Sequence, residues 1–388
     1  VRSTRSIPVL ATIVLSTAVL GACGSSETGT TETVSLEPAA ADQALSGICP
    51  DVIGIQMDWE PEAEHGPLYN LVGPDYTVDT AGKSVTGTLV ADGKDTGVAV
   101  NVRAGGPAIG FQSVSSQLYV DDDLMLGTIT TDGAISASQS QPVIAVAALM
   151  KKSPQILMWD PETYPDWKTL GDIGKSDATV VVNQGNVFGP MLVSRGLLKA
   201  DQLDNSYDGA PARFVADPTI VQQGYATAEP YTYENEVGAW GRPIASALIA
   251  DEGYVVYPQA ISVRADKLAE HEACLAKLVP IIQQSTLDYV ADPSRANAII
   301  TDIVTQYNDG WVYSEGVAEY GATQLKEQGF MGAEPGLAVG QFDIARIQET
   351  IDTFVPILQQ SGASIKADIT PDDIATNQFV DTSIGAEL

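Results

Sequence analysis

A chain of 388 residues with 50 acidic and 20 basic side chains carries a formal charge of −30 at neutral pH. Such a surface repels nucleic acid and anionic headgroups, which argues against DNA, RNA or peripheral lipid binding. Two histidines and three cysteines, with no Cys/His cluster at metal spacing, rule against a structural zinc site, and the length suffices for a large single domain or two lobes.

The N-terminus sets the expected compartment. Arg2 and Arg5 precede an apolar run from Ile7 to Val19, and Leu20-Gly21-Ala22-Cys23 follows. The run is shorter than the roughly 20 residues a membrane span needs, and small residues at its end mark a secretory cleavage site. Cys23 directly after Leu-Gly-Ala resembles the bacterial lipobox. Residues 1–22 are therefore expected as a signal peptide and Cys23 as the site of lipidation, with an ordinary signal peptide as the alternative. Residues 23–47 are polar and contain Ala and Pro, and read as a flexible lipid-anchored linker. With Cys23 acylated, Cys49 and Cys274 remain to pair as a disulfide in an oxidising compartment.

Val52 to Trp59 reads as a buried first strand that empties into an acidic, proline-bearing loop, and Gly66 to Val72 as a short helix. Residues 85–103 hold two strands around Asp92-Gly93, a hairpin signal. A helix is expected from Ala108 to Val120 and a strand from Leu126 to Thr130. Pro142 to Leu149 is a continuous apolar run suited to a central strand covered on both faces. Strands at Gln155 to Trp159 and Thr179 to Val182 alternate with a turn at Leu170 to Ile173 and a helix from Pro190 to Arg195. Tyr254 to Val263 is strand-like and carries the chain back. Helices follow over 267–292, 293–307 and 341–358. The alternation implies an α/β fold with mainly parallel sheets and flanking helices. Two lobes with a cleft between them are expected: 48–149 and 257–388 form the first, 150–256 the second, and the cleft is the expected site.

Catalytic signatures are missing. Gly105-Gly106-Pro107 lacks dinucleotide-fingerprint spacing, and there is neither a phosphate loop nor a G-x-S-x-G elbow. His65 with Ser113 or Ser116 is a weak nucleophile pair, since a lone His beside acids in a loop is more often a binding or surface residue. Of the alternating Glu60, Glu62 and Glu64, the last two read as solvated charge.

The segment from Ile55 to Tyr69 contains Asp58-Trp59-Glu60-Pro61, His65 and Tyr69. It resembles the opening of the pyrimidine-precursor, sulfonate and nitrate group of ABC-importer solute-binding proteins, in which a strand runs into an Asp-Trp-x-Pro loop, a His and an aromatic. Leu170 to Lys175, Gln184 to Gly189 and Gln223 to Pro230 are similar to later segments of that group. The resemblance implies a type II periplasmic-binding-protein fold, no enzymatic activity, no cofactor, and a monomer delivering a small molecule to a permease and its ATPase. It also departs: residues 74–103 are longer than the group's strand–turn, and Thr131-Asp132-Gly133 replaces the group's Asp-Phe-Gly.

Trp59 and Tyr69 offer flat surfaces for a ring, with rim or helix packing as their bland alternative. Asp58 and Glu60 accept from N–H groups and disfavour an anion. Asn186 lies in a glycine-bearing loop, Phe188 is placed to cover a ring, and Glu229 and Tyr231 to close from the far lobe. His65, Ser113 and Asp132 complete the expected ligand-binding set. A neutral or cationic nitrogen heterocycle is the favoured ligand. The alternatives are an organic sulfonate, nitrate or other oxyanion, a pyrimidine-precursor synthase on the same fold, or a surface scaffold.

Overall fold

The computed structural model describes residues 36–386; the expected signal peptide and the lipidation at Cys23 lie outside the described residues. Six strands come from the first part of the chain: β1 (Val52–Gln56), β2 (Thr77–Asp79), β3 (Ser84–Ala91), β4 (Lys94–Arg103), β5 (Leu124–Ile129) and β6 (Val143–Ala148). Five follow: β7 (Gln155–Trp159), β8 (Val180–Val181), β9 (Leu203–Asp204), β10 (Val221–Tyr225) and β11 (Ala245–Leu248). The return strand β12 (Ala260–Arg264) rejoins the first group. One sheet has the order β2-β3-β4-β1-β5-β12-β6 and the other β11-β7-β10-β8-β9. The chain thus crosses twice between two α/β lobes, once between β6 and β7 and once before β12.

Both sheets are mixed, which corrects the expectation of mainly parallel pairing. β1 runs parallel to β4 and β5, but β12 is antiparallel to both its neighbours and β7 to both of its own. The β3–β4 hairpin forms because Asp92 and Gly93 take φ of 50° and 73°, the left-handed pair a tight hairpin turn requires. β6 is an edge strand rather than a central one. All six of its residues are buried, and its free edge is capped by the C-terminal segment, where the Ala145 N–H donates to Ile374 O and the Thr376 N–H to Ala145 O.

The polar linker also ends earlier than its composition suggests. The Asp95 N–H donates to Glu37 O, the Ala39 N–H to Asp95 O, and Leu45 is fully buried in the first core. Lys277 Nζ holds Ala41 O and Ala44 O from the helix Glu272–Ala291. A Cys49–Cys274 disulfide joins the entry of β1 to that same helix, across 225 residues.

Sequence reading missed a helix at Thr131–Ala137, the short strand β11 and the helix Glu315–Glu327. The last packs against both the Ala63–His65 turn of the first lobe and the helix Glu229–Asn235 of the second. Among the described residues no helix is long and apolar enough to cross a membrane.

Candidate functional site

The loop leaving the carboxyl end of β1 carries Asp58 to His65 into the space between the sheets. Asp58 is the hub of its first half. Its Oδ1 accepts from His65 Nε2 at 2.8 Å and from Thr128 Oγ1 at 3.1 Å, and its Oδ2 from Gln259 Nε2 at 3.0 Å. Burial pushes its carboxyl up, but the hydrogen bond and charge of His65, with the bonds from Gln259 and Thr128, hold it below the usual carboxylate range. The Asp58 side chain keeps 30% of its surface exposed, so the hub opens on solvent.

Trp59 is set by Gly105 and Gly106, whose spacing fits no dinucleotide motif. A Cβ on Gly106 would come 2.7 Å from Trp59 Cε3, and one on Gly105 would come 2.1 Å from Met57 O, so only glycine lets the indole and the loop backbone lie this close. Phe111 and Trp311 flank the indole at 6.0 and 6.5 Å between centroids. Its far edge reaches the second lobe at Gly209.

The glutamates depart most from expectation. Glu62 and Glu64, read as solvated, are 8% and 2% exposed, and Glu60 is 2% exposed. Ala63 N–H donates to the Tyr313 hydroxyl at 2.9 Å, which draws the loop inward, and Thr227 of the second lobe donates its hydroxyl to Glu64. Glu229 accepts from the Tyr225 N–H at 2.6 Å. Burial, then the charges of Glu64, Asp58, Glu229 and Glu60, push the Glu62 carboxyl well above its usual range. Burial likewise raises Glu229 to about 7, and Glu60 to about 7 with help from Asp309. Burial and the same carboxylates push up the phenols of Tyr207 and Tyr225. His65 is the sole basic side chain among those that set the Asp58 and Glu64 carboxyls. The arrangement is a buried cluster of acids edged by aromatic rings where the two lobes meet, and its charge suits a solute that brings positive charge or N–H donors.

Other expected residues have different employment. Tyr69 is fully buried on the short helix Gly66–Tyr69, inside the first lobe. Phe188 is 1% exposed and packs edge-to-face on Tyr254, so its ring is used in the core. Asp132 accepts from Tyr254 Oη and the Gly133 N–H. Asn186 braces its own loop through Gly189 N–H and Asn183 O. Ser113 is an exposed N-cap of the helix Val114–Val120, and Tyr231 packs on Tyr320. Gln259, Thr128, Thr227 and Tyr313 were missed; the one local signal was Gln259, a polar residue interrupting the apolar stretch before β12.

Two recesses of ≈ 170 and ≈ 530 Å³ lie elsewhere, one beside the β3–β4 turn and one along β11. Neither is lined by the residues from Asp58 to His65, over which the lobes are drawn together. Among the described residues no group of three or more His, Cys, Asp or Glu side chains is arranged to hold a metal ion.

No family model matches the chain, and no curated protein does. Solved structures do. The periplasmic aliphatic sulphonate binding protein SsuA from Escherichia coli superimposes with a TM-score of 0.54 at 12% identity, over 84% of this chain and 92% of that one. The ligand-binding component of an ABC-type import system from Staphylococcus aureus, with zinc bound, gives 0.51 at 12% over 85% and 98%. The alkanesulfonate-binding protein SsuA from Xanthomonas axonopodis pv. citri, bound to MOPS, gives 0.51 at 11% over 84% and 99%. At such identities the likeness is one of architecture: the chain has the two-lobed periplasmic-binding-protein fold.

Proposed function

We propose that the protein is the extracytoplasmic solute-binding component of an ABC importer, without chemistry of its own, tethered through a lipid on Cys23. Its solute is a small cationic or N–H-rich nitrogen heterocycle of the pyrimidine type. The observation that carries the ligand class is Glu62: a residue nine-tenths buried beside Asp58, Glu64 and Glu229, whose carboxyl group accepts no hydrogen bond among the described residues. Closing two lobes over these acids costs desolvation and repulsion unless the solute supplies positive charge or donors. The fold and its likeness to import components support the binding role. The relatives named for sulfonates keep an anionic solute in view, but this cleft offers an anion little besides His65.

Thermal-shift measurement against aminopyrimidines, small sulfonates and nitrate tests the reading, because a ligand bound only by the native state raises its stability by mass action. The expected result is a concentration-dependent shift with aminopyrimidines alone. A shift with sulfonates and none with any heterocycle removes the proposed ligand class. Intact mass of membrane-extracted protein tests the lipid.

A further inference from the structure

Gln259 stands where the chain re-enters the first lobe, directly before β12. Its backbone is left-handed, with φ of 51°, a conformation a non-glycine residue keeps only where its surroundings hold it. Its carbonyl accepts from the Leu149 N–H of the other crossing segment. The side chain is 3% exposed.

The chemistry of the neighbour decides which end of the amide faces which way. An ionised carboxylate only accepts, so the amide turns its nitrogen to Asp58 Oδ2 and its oxygen away. That oxygen is buried and has no donor among the described residues. Asp58 meanwhile already accepts three hydrogen bonds, from His65, Thr128 and Gln259, and has little left for a solute. A buried carbonyl oxygen left without a donor is unfavourable, and a bound group that supplies one removes the penalty.

We infer that Gln259 Oε1 is the specificity-determining acceptor of the cleft, selecting solutes that present an N–H donor, and that Asp58 is a positioning residue that fixes the amide's orientation. The inference rests on the proposed binding role and narrows its solute: charge is met by the glutamates, and a neutral or cationic N–H is met by Gln259. A dialkylated nitrogen of equal ring geometry has no hydrogen to give and is refused.

The test is calorimetric titration of the full chain with aminopyrimidine and with dimethylaminopyrimidine, for wild type, Gln259→Met and Asp58→Asn. Wild type is expected to bind the amino compound at least about tenfold more tightly, as loss of a buried hydrogen-bond partner implies. Gln259→Met is expected to lose that preference, with an unliganded melting temperature lowered by less than that of His65→Ala, since the same change removes a donor to Asp58 and an unpartnered oxygen. Asp58→Asn lets the amide turn over and is expected to weaken the preference; it decides the matter if the methionine variant does not fold. Aminopyrimidine binding with the preference intact in Gln259→Met, or in Asp58→Asn where that variant decides, overturns the inference and leaves the binding role standing. Binding of ethanesulfonate alone overturns the proposed solute class, and the inference with it.

Discussion

His65 Nε2 lies 2.8 Å from Asp58 Oδ1, and the imidazole is fully buried while its Nδ1 meets no partner among the described residues. The pair fixes the root of the loop that carries Asp58, Glu60, Glu62 and Glu64, the first lobe's acids at the site. His65→Ala removes the first of the three donors to Asp58 and leaves a cavity. Because Asp58 keeps two other donors and some contact with solvent, losing this partner costs about 2 kcal/mol, less than breaking a fully buried pair. Urea denaturation should show a loss of that order; a change below about 0.5 kcal/mol, the level of an ordinary surface substitution, would mean that the pair does not anchor the loop.

Stability should fall as pH rises through neutrality. Burial lifts Glu60 and Glu229 to about 7 from the 4.5 of an unperturbed glutamate. The folded state therefore binds more protons than the unfolded chain between pH 4.5 and 7, so stability declines across that window and is lowest above it. Asp58 works in the opposite sense, but its lowered carboxyl stays ionised throughout the same window. Melting temperatures should be higher near the acid end of this window than above its upper limit. Glu60→Gln should reduce the total decline across the window by about 3 kcal/mol at most. A melting temperature that rises with pH over this range contradicts the placement of the glutamates.

Reduction should be costly. The Cys49–Cys274 bond closes a loop of 225 residues, for which chain entropy gives about 5 kcal/mol of stabilisation. Cys49→Ser with Cys274→Ser should lower the denaturation midpoint accordingly, and dithiothreitol should reproduce the effect in wild type. An unchanged midpoint in both would show the bond absent in solution.

Trp59→Ala should separate binding from folding. The indole is half-buried between Phe111, Trp311 and Gly209, at the rim where the lobes meet. Loss of ligand-induced stabilisation is expected, with a modest stability cost of about 1–2 kcal/mol, below that of a fully buried aromatic. Retained binding in the alanine variant would assign the indole to packing alone.

Local chemistry made much of the fold legible. Asp92-Gly93 can take two positive φ values, so the β3–β4 hairpin was readable, and apolar runs marked β1, β5, β6 and β7. What covers a residue from far along the chain left no such mark. β6 read as central because Ile374 to Thr376 covers its edge. Glu62 and Glu64 read as solvated because their loop is polar by sequence. The groups that draw the loop inward, Tyr313 on Ala63 and Thr227 on Glu64, lie 250 and 163 residues away. Asp58, Glu60, Glu62 and Glu64 stand together in one contiguous segment, so their proximity was readable; Glu229 joins them from the helix Glu229–Asn235 of the second lobe, which no local signal marks. Phe188 and Tyr69 were not separable from core aromatics by sequence, and both are buried.

The most direct test of the acidic cleft is calorimetric titration of one aminopyrimidine into wild type and into a Glu62→Gln, Glu64→Gln variant, with ethanesulfonate as the matched anion. The account predicts heat with the heterocycle in wild type, at least about tenfold weaker binding in the variant, and none with the sulfonate in either. Tight sulfonate binding that survives or improves in the variant would contradict it.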